Sequence, residues 1–250
     1  EIQNLQAAMF CILLSTSTPI LTGALPPRSW WGKGYVLAAL GLFMLFAGMW
    51  PFTGLDVAMT RWDHPRILAV KDTPYGRIAL TGLSGQVSLF DNGALAYETE
   101  GTAAEAFIHL ALLQHPSPTR ILILGGGVEG LIQEALGHQP EQIDYVELNP
   151  QMLRTAVPFL PHRIQESLNS PRVRVIFGEP RRFLEKSGFY DMILIGMPEP
   201  TSGQGNRFFS REFFASCAEK LRPQGILAFR LKSAENFWTP PLLQRTGSIY

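Results

Sequence analysis

The sequence predicts an α/β chain in three parts: two apolar helices, a small antiparallel β module, and a parallel sheet covered by helices on both faces. Three observations predict it. Residues 1–60 carry only Glu1, Arg28, Lys33 and Asp56 of the 42 Lys, Arg, Asp and Glu residues. From Ile67 to Tyr97 short alternating runs are separated by turn residues. Beyond Pro118 continuous apolar runs alternate with helical stretches, the pattern of a sheet buried on both faces.

The 250 residues bear equal numbers of basic and acidic side chains, so no global field recruits nucleic acid, and none is expected as a partner. Cys11 and Cys217 stand far apart and form neither a redox nor a metal motif, which points to a reducing compartment. The chain begins at Glu1 without Met and stops at Tyr250, as expected of a piece of something longer.

Leu5 to Ala24 is a run of twenty residues without charge, and Gly34 to Trp50 a second of seventeen. As helices they reach roughly 30 and 25 Å, against a bilayer core of about 30 Å. Trp30, Trp31, Trp50 and Tyr35 stand at their ends, where amphipathic rings prefer the interface. Two transmembrane helices within 1–52 are therefore expected, the alternative being a buried helical hairpin. Arg28 and Lys33 balance Arg61 and Arg66, so orientation is not readable.

In the β module (60–100), the runs 67–70, 77–81, 86–90 and 94–97 are divided by 73–76, Gly82 to Gly85 and Asp91-Asn-Gly93, which is hairpin spacing. A helix is expected over 102–114, with Thr102 as its cap and Glu105 three residues on. The last part, 101–250, then reads as strand 120–124, glycine loop and helix 131–137, strand 143–148, helix 150–160, strand 173–177, helix 180–186, strand 190–195, helix 210–221 and strand 226–231.

In such a sheet ligands bind beyond the carboxyl ends of the strands. Gly125, Gly127 and Gly130 have the spacing G-x-G-x-x-G between a strand and a helix, where a backbone approaches a ligand closely. Glu147 ends the second strand, where a carboxylate accepts hydrogen bonds from ribose hydroxyls. Glu179 follows the third strand as a candidate acceptor for an adenine amino group. Glu199 is the ionisable residue of Gly196-Met-Pro-Glu-Pro200 after the fourth. Glu105 and His109 share a helix face and serve either a pocket or each other. The histidines form no metal set, and no Gly-x-Ser-x-Gly elbow or phosphate-loop lysine is present.

Taken together, residues from about Ile67 to Leu231 resemble the spermidine synthase (polyamine aminopropyltransferase) family. The resemblance is carried by Tyr75-Gly-Arg77, Asp91-Asn-Gly93, Glu105 with His109, the Gly125 loop, Val146-Glu-Leu148, Gly178-Glu179, Tyr190-Asp191 and Glu212-Phe-Phe214. Pro198-Glu-Pro200 with Asn206-Arg-Phe-Phe209 resembles the membrane-fused bacterial branch, in which membrane spans precede the synthase domain. The resemblance implies a methyltransferase-like Rossmann domain behind the β module. It implies decarboxylated S-adenosylmethionine or a related adenosyl nucleoside as cosubstrate, no metal, and transfer of an aminopropyl group to an amine such as putrescine. Glu147 would hold the ribose and Glu179 the adenine. Gly125, Gly126, Gly127 and Gly130 would lie under the sulfonium side, and Glu105 and His109 would belong to the substrate site. The implied location is the bacterial inner membrane, reached through residues 5–50, with the soluble domain facing the cytoplasm. A homodimer is among the assemblies considered.

The departures from the family pattern fall on the amine half. The family's aspartate for the aminopropyl ammonium is Val128, its tyrosine and histidine before the helix glutamate are Ala103 and Ala104, and its proton-accepting aspartate is Gly196. Glu199 is the acid left at that strand end and the remaining candidate base. Three readings follow: an aminopropyltransferase-like domain with transfer to putrescine poor or absent, a non-catalytic nucleoside-binding or regulatory domain of a membrane protein, and an NAD-dependent oxidoreductase, which the glycine spacing and Glu147 alone permit.

Overall fold

The computed structural model describes residues 66–199, 203–231 and 239–247, with Ala38, Gly41, residues 60–62 and His64. The chain divides into two units at Pro65/Arg66, and the second holds both sheets. Apart from Ala38 and Gly41, the two apolar runs lie outside the described residues. Among the described residues no helix is long and apolar enough to cross a membrane.

The β module is a four-stranded antiparallel meander of β1 (Ile67–Thr73), β2 (Gly76–Leu83), β3 (Gln86–Asp91) and β4 (Ala94–Glu98). Asn92 and Gly93 both have positive φ, 51° and 80°, as the tight turn from β3 to β4 requires. Ile78, Leu80, Val87, Leu89 and Tyr97 bury one face of the meander.

Helix α1 (Thr102–Leu112) follows. The expected cap is displaced: Gly101 occupies the cap position and no side chain bonds the first turn, so Thr102 is already helical and exposed. The Rossmann part then runs β5 (Arg120–Leu124), a 3-10 turn (Gly127–Glu129), α2 (Leu131–Gly137), β6 (Gln142–Glu147), α3 (Pro150–Ala156), α4 (His162–Leu168), β7 (Val173–Phe177), α5 (Pro180–Lys186), β8 (Tyr190–Ile195), α6 (Gly203–Asn206), α7 (Arg211–Ala218), β9 (Leu221–Phe229) and α8 (Pro240–Gly247). The sheet order is β7-β6-β5-β8-β9 and every pairing is parallel. The winding reverses between β5 and β8, which places the ligand crevice beyond the ends of β5, β6 and β8.

Strand alternation divides the core. Ile121, Ile123, Ile143, Tyr145, Met192 and Leu194 face α1, α2, α3 and α4, whereas Leu122, Leu124, Val146, Ile193 and Ile195 face α5 and α7. Both faces are apolar because both are covered, which is why these strands read as continuous runs.

Several boundaries differ from the sequence reading by a few residues, and the larger differences have local reasons. The helix expected over 150–160 ends at Ala156 and tightens into a 3-10 turn at Val157–Phe159, because Pro158 has no N–H to continue it. A separate helix, α4, then starts after Pro161. The last strand begins at Leu221 rather than Ile226. Its pairing with β8 shifts between Tyr190 and Met192, so Pro223, Gln224 and Gly225 bulge out of a ladder that resumes at Ile226. An edge strand tolerates a proline in such a bulge. Ser210 caps α7 from outside, accepting from the Phe213 N–H at 3.4 Å, and α8 was not anticipated.

Two buried acids fasten the sheet away from the crevice. Asp144 takes a paired contact from Arg174, at 3.0 and 2.8 Å, and a bond from the Tyr190 hydroxyl at 2.7 Å. Asp191 accepts from the Thr119 and Arg120 N–H groups and the Thr119 hydroxyl, all at 2.9 Å, and from Arg222 at 3.0 Å. Burial works against its charge, but these donors outweigh it and hold its pKa down at about 2.

Candidate functional site

A cleft with a cavity of about 130 Å³ opens at the predicted crevice. Its floor is Gly125 after β5, Glu147 to Asn149 after β6, and Met197 to Glu199 after β8. Tyr75, Asp91, Asn92, Ala96 and Tyr97 of the β module close it from above, and Gly205, Arg207 and Phe208 from the side.

The glycine loop is shaped by contact as well as by turning. Gly126 has φ 78°, and a Cβ there would lie 2.5 Å from the Leu131 Cδ1 and 2.9 Å from the Gly196 carbonyl oxygen. A Cβ on Gly127 would meet the Tyr145 ring at 2.5 Å. The loop is therefore pressed between β6, β8 and the first residue of α2, and any side chain at these two positions forces its neighbours apart.

Glu147 is the most perturbed acid of the cleft. It is 3% exposed, and burial raises its pKa from the ordinary carboxylate range to about 7. The shift is limited by donors: the Tyr145 hydroxyl gives to Oε2 at 2.5 Å, the Asn149 N–H gives to Oε1 at 2.8 Å, and the Leu148 N–H adds a third. Tyr145 in turn accepts from the Gly127 N–H at 3.3 Å. A continuous path thus runs from glycine loop to tyrosine to carboxylate. Tyr97 is buried beside it and bonded to the Gly126 backbone; burial, then the Glu147 charge, keep its hydroxyl protonated far above neutral pH.

Asn149 links the two modules. Its Oδ1 caps α3 by accepting from the Met152 N–H at 3.2 Å, and its Nδ2 donates to the Thr73 Oγ1 of β1 at 2.9 Å. One side chain thereby fixes the roof of the cleft to its floor.

The sequence-predicted residues are only partly brought together. Gly125, Glu147 and Glu199 line the cleft. Gly126, Gly127 and Gly130 build the loop behind it. Glu179 caps α5 through Oε2, accepting from the Arg182 N–H at 3.0 Å, while its Oε1 is buried without a hydrogen-bond partner. Such an oxygen is an acceptor in want of a donor. Glu105 and His109 lie elsewhere. Glu105 is exposed on α1, and His109 faces α2, with Nδ1 2.6 Å from the His138 Nε2 and Nε2 3.4 Å from Glu134. Ala103 is exposed and Ala104 is packed in the core, so neither shapes the cleft wall. Among the described residues no group of three or more His, Cys, Asp or Glu side chains is placed to hold a metal.

Residues not assigned to the site from the sequence are Tyr97, Tyr145 and Asn149, together with Asp91 and Arg207, which were read only as parts of motifs. Asn149-Pro150 was a readable signal, an N-cap followed by proline at the first helical position. Tyr145 sits inside a strand and carried none.

Val128 is 1% exposed and offers no charge, and Glu129 beside it is paired with both terminal nitrogens of Arg230. Gly196 leaves no room for an acid, because a Cβ there would lie 2.3 Å from the Leu131 Cδ1 and 2.7 Å from the Gly125 carbonyl oxygen.

An antiparallel β module followed by a Rossmann-like methyltransferase fold, with a buried carboxylate as the last residue of β6, defines the class of fold. The chain belongs to the spermine/spermidine synthase family, whose domain pattern, described as the spermine/spermidine synthase domain, matches residues 100–240. It is 28% identical over 207 residues to putrescine N-methyltransferase 1 of Nicotiana tabacum, covering 79% of this chain and 52% of that protein. It is also 28% identical over 214 residues to the spermidine synthase of Solanum lycopersicum, covering 82% and 59%. The chain thus spans a little over half the length of these relatives. A crystal structure of spermidine synthase in complex with the transition state analogue AdoDATO shares the fold, with a TM-score of 0.58 at 24% identity over 64% of this chain and 56% of that one. The Thermotoga maritima spermidine synthase does so with 0.57 at 21%, over 66% and 56%.

Proposed function

We propose that the cleft binds an S-adenosyl-type nucleoside, with Glu147 on the ribose, Gly125, Gly126, Gly127 and Gly130 behind the sulfur-bearing arm, and Glu179 toward the adenine. One observation carries this reading: a fully buried carboxylate facing a cavity at the end of β6, connected to the glycine loop through Tyr145. A buried acid is costly unless it has a partner, and a ribose diol supplies donors. Glu179 stands outside the lining of the cleft, and its unpartnered Oε1 would accept from an adenine amino group if the ligand extends past β7. A thermal-shift panel of methylthioadenosine, S-adenosylmethionine, its decarboxylated form and NAD tests the reading. Adenosyl compounds should stabilise the protein by about 2.7 kcal/mol at a hundredfold excess over Kd. Stabilisation by NAD alone would favour the oxidoreductase reading.

Aminopropyl transfer to putrescine is not expected. A primary amine is protonated at neutral pH and needs a nearby base before it attacks carbon. The space beside Gly196 is filled by Leu131, and Val128 cannot pair an ammonium. These packing facts favour a domain that holds the nucleoside without that transfer, Glu199 being the remaining candidate base. Incubation with decarboxylated S-adenosylmethionine and putrescine should give no spermidine. Robust product that Glu199→Gln abolishes would make Glu199 the base and overturn this part.

The apolar runs 5–24 and 34–50 place the protein, in this proposal, in the membrane-fused bacterial branch, anchored in the inner membrane with residues 67–231 in the cytoplasm. Their length and interfacial tryptophans support it. The protein should be released from membranes by detergent and not by high salt. Recovery as a soluble monodisperse species would refute the anchoring.

A further inference from the structure

We propose that Arg207 makes the cleft selective for a ligand that carries a carboxylate, with the amino-carboxylate end of an intact S-adenosyl nucleoside as the favoured source; this rests on the nucleoside reading above. Among the described residues lining the cleft, Arg207 is the one cation, set in a wall that also holds Asp91, Glu147 and Glu199. Its guanidinium lies over the Phe208 ring, 4.7 Å from the centroid, and its Nε is buried with no hydrogen-bond partner. Phe208 is itself buried and packed edge-on against Phe213, so the platform is fixed. The Arg207 backbone oxygen is held by Arg181. A stacked guanidinium on a fixed ring is preorganised and presents a planar fork matched to a carboxylate.

The charges around it argue the same way. A decarboxylated nucleoside brings a sulfonium and an ammonium, which the acids of the wall attract but which leave Arg207 without an anionic partner. Glu129, within the loop, is already paired with Arg230. A head group with one ammonium and one carboxylate instead finds Asp91 and Glu199 for the first and Arg207 for the second.

Titration calorimetry with two ligand pairs, each differing by one carboxylate, tests the proposal: S-adenosylmethionine against its decarboxylated form, and ornithine against putrescine in saturating methylthioadenosine. The carboxylated nucleoside should bind roughly tenfold or more tightly, as one charge-assisted pair provides. Arg207→Gln should bring the two forms together while methylthioadenosine binds as before. If Arg207→Gln loses methylthioadenosine as well, Arg207→Lys carries the test, and its preference must fall while methylthioadenosine still binds. A preference confined to ornithine and lost in the variant assigns the carboxylate to an acceptor instead. Equal affinities within both pairs, or a preference that survives the variants, would overturn the role of Arg207 and leave the nucleoside reading standing. Failure of methylthioadenosine to bind the unaltered protein would count against the nucleoside reading itself.

Discussion

Leu131 fills the space beside Gly196: its Cδ1 lies 2.3 Å from where a Cβ at position 196 would sit. The first residue of α2 and the first residue past β8 are therefore coupled by sterics. Position 196 carries no side chain, and the packing around it leaves little room for one.

That coupling predicts the behaviour of Gly196→Asp. The side chain of Leu131 can move, but the Gly125 carbonyl oxygen, 2.7 Å away, is backbone. The variant should lose about 1–3 kcal/mol of stability by overpacking and gain no transfer activity. Urea unfolding measures the first and a spermidine assay the second. A variant as stable as the parent would mean the β8 end yields readily.

Asp191 should be among the costliest acids to remove. Asp191→Ala leaves the Thr119 and Arg120 N–H groups without their acceptor and Arg222 with only the Thr119 hydroxyl oxygen at 3.4 Å, at a cost of about 3 kcal/mol or more. Its pKa is depressed to about 2, so its contribution is complete above the ordinary carboxylate pKa and is lost as pH falls toward 2. Acid titration of stability should show this loss in the parent and not in the variant.

Glu147 has the opposite sign. Its folded pKa of about 7 exceeds the unfolded value, so the folded state holds the extra proton between about pH 4.5 and 7, and stability falls as pH rises through that window. Glu147→Gln should flatten the slope, which amounts to about 3 kcal/mol in the parent. Tyr145→Phe removes a donor to the carboxylate and should push the pKa higher still. Stability curves from pH 4 to 9 for the three proteins check both statements. A parent curve that is flat across the window would contradict the burial of Glu147 as described.

Most of the sheet was legible because its signal is local. Runs such as Arg120–Leu124 and Tyr190–Ile195 are continuously apolar from Ile121 and from Met192 onward, and their bounds were read directly. The turn at Asn92-Gly93 was visible for the same reason. The breaks were not: Pro158 splits a helix only by its place within the turn, and the bulge at Pro223 to Gly225 depends on how β9 pairs with β8. In the site, the strand-end rule located Glu147 and the glycine loop. Tyr97, Asn149 and Arg207 became visible only when the β module and the segment after β8 folded over the crevice. The pairing of His109 with His138, just past α2, likewise depends on tertiary packing, which the i,i+4 spacing of Glu105 and His109 does not report.

The central claim is that Glu147 receives the ribose of an adenosyl ligand, and binding of methylthioadenosine to the parent and to Glu147→Ala tests it most directly. The parent should bind, and the variant should lose about 1.5–3 kcal/mol, roughly 10- to 150-fold in Kd, as the charge-assisted bonds vanish. Because the ligand draws on the ionised carboxylate, binding at pH 6 should release a proton, seen as a dependence of the heat on buffer ionisation enthalpy. Equal affinity in parent and variant, with no proton release, would contradict the assignment.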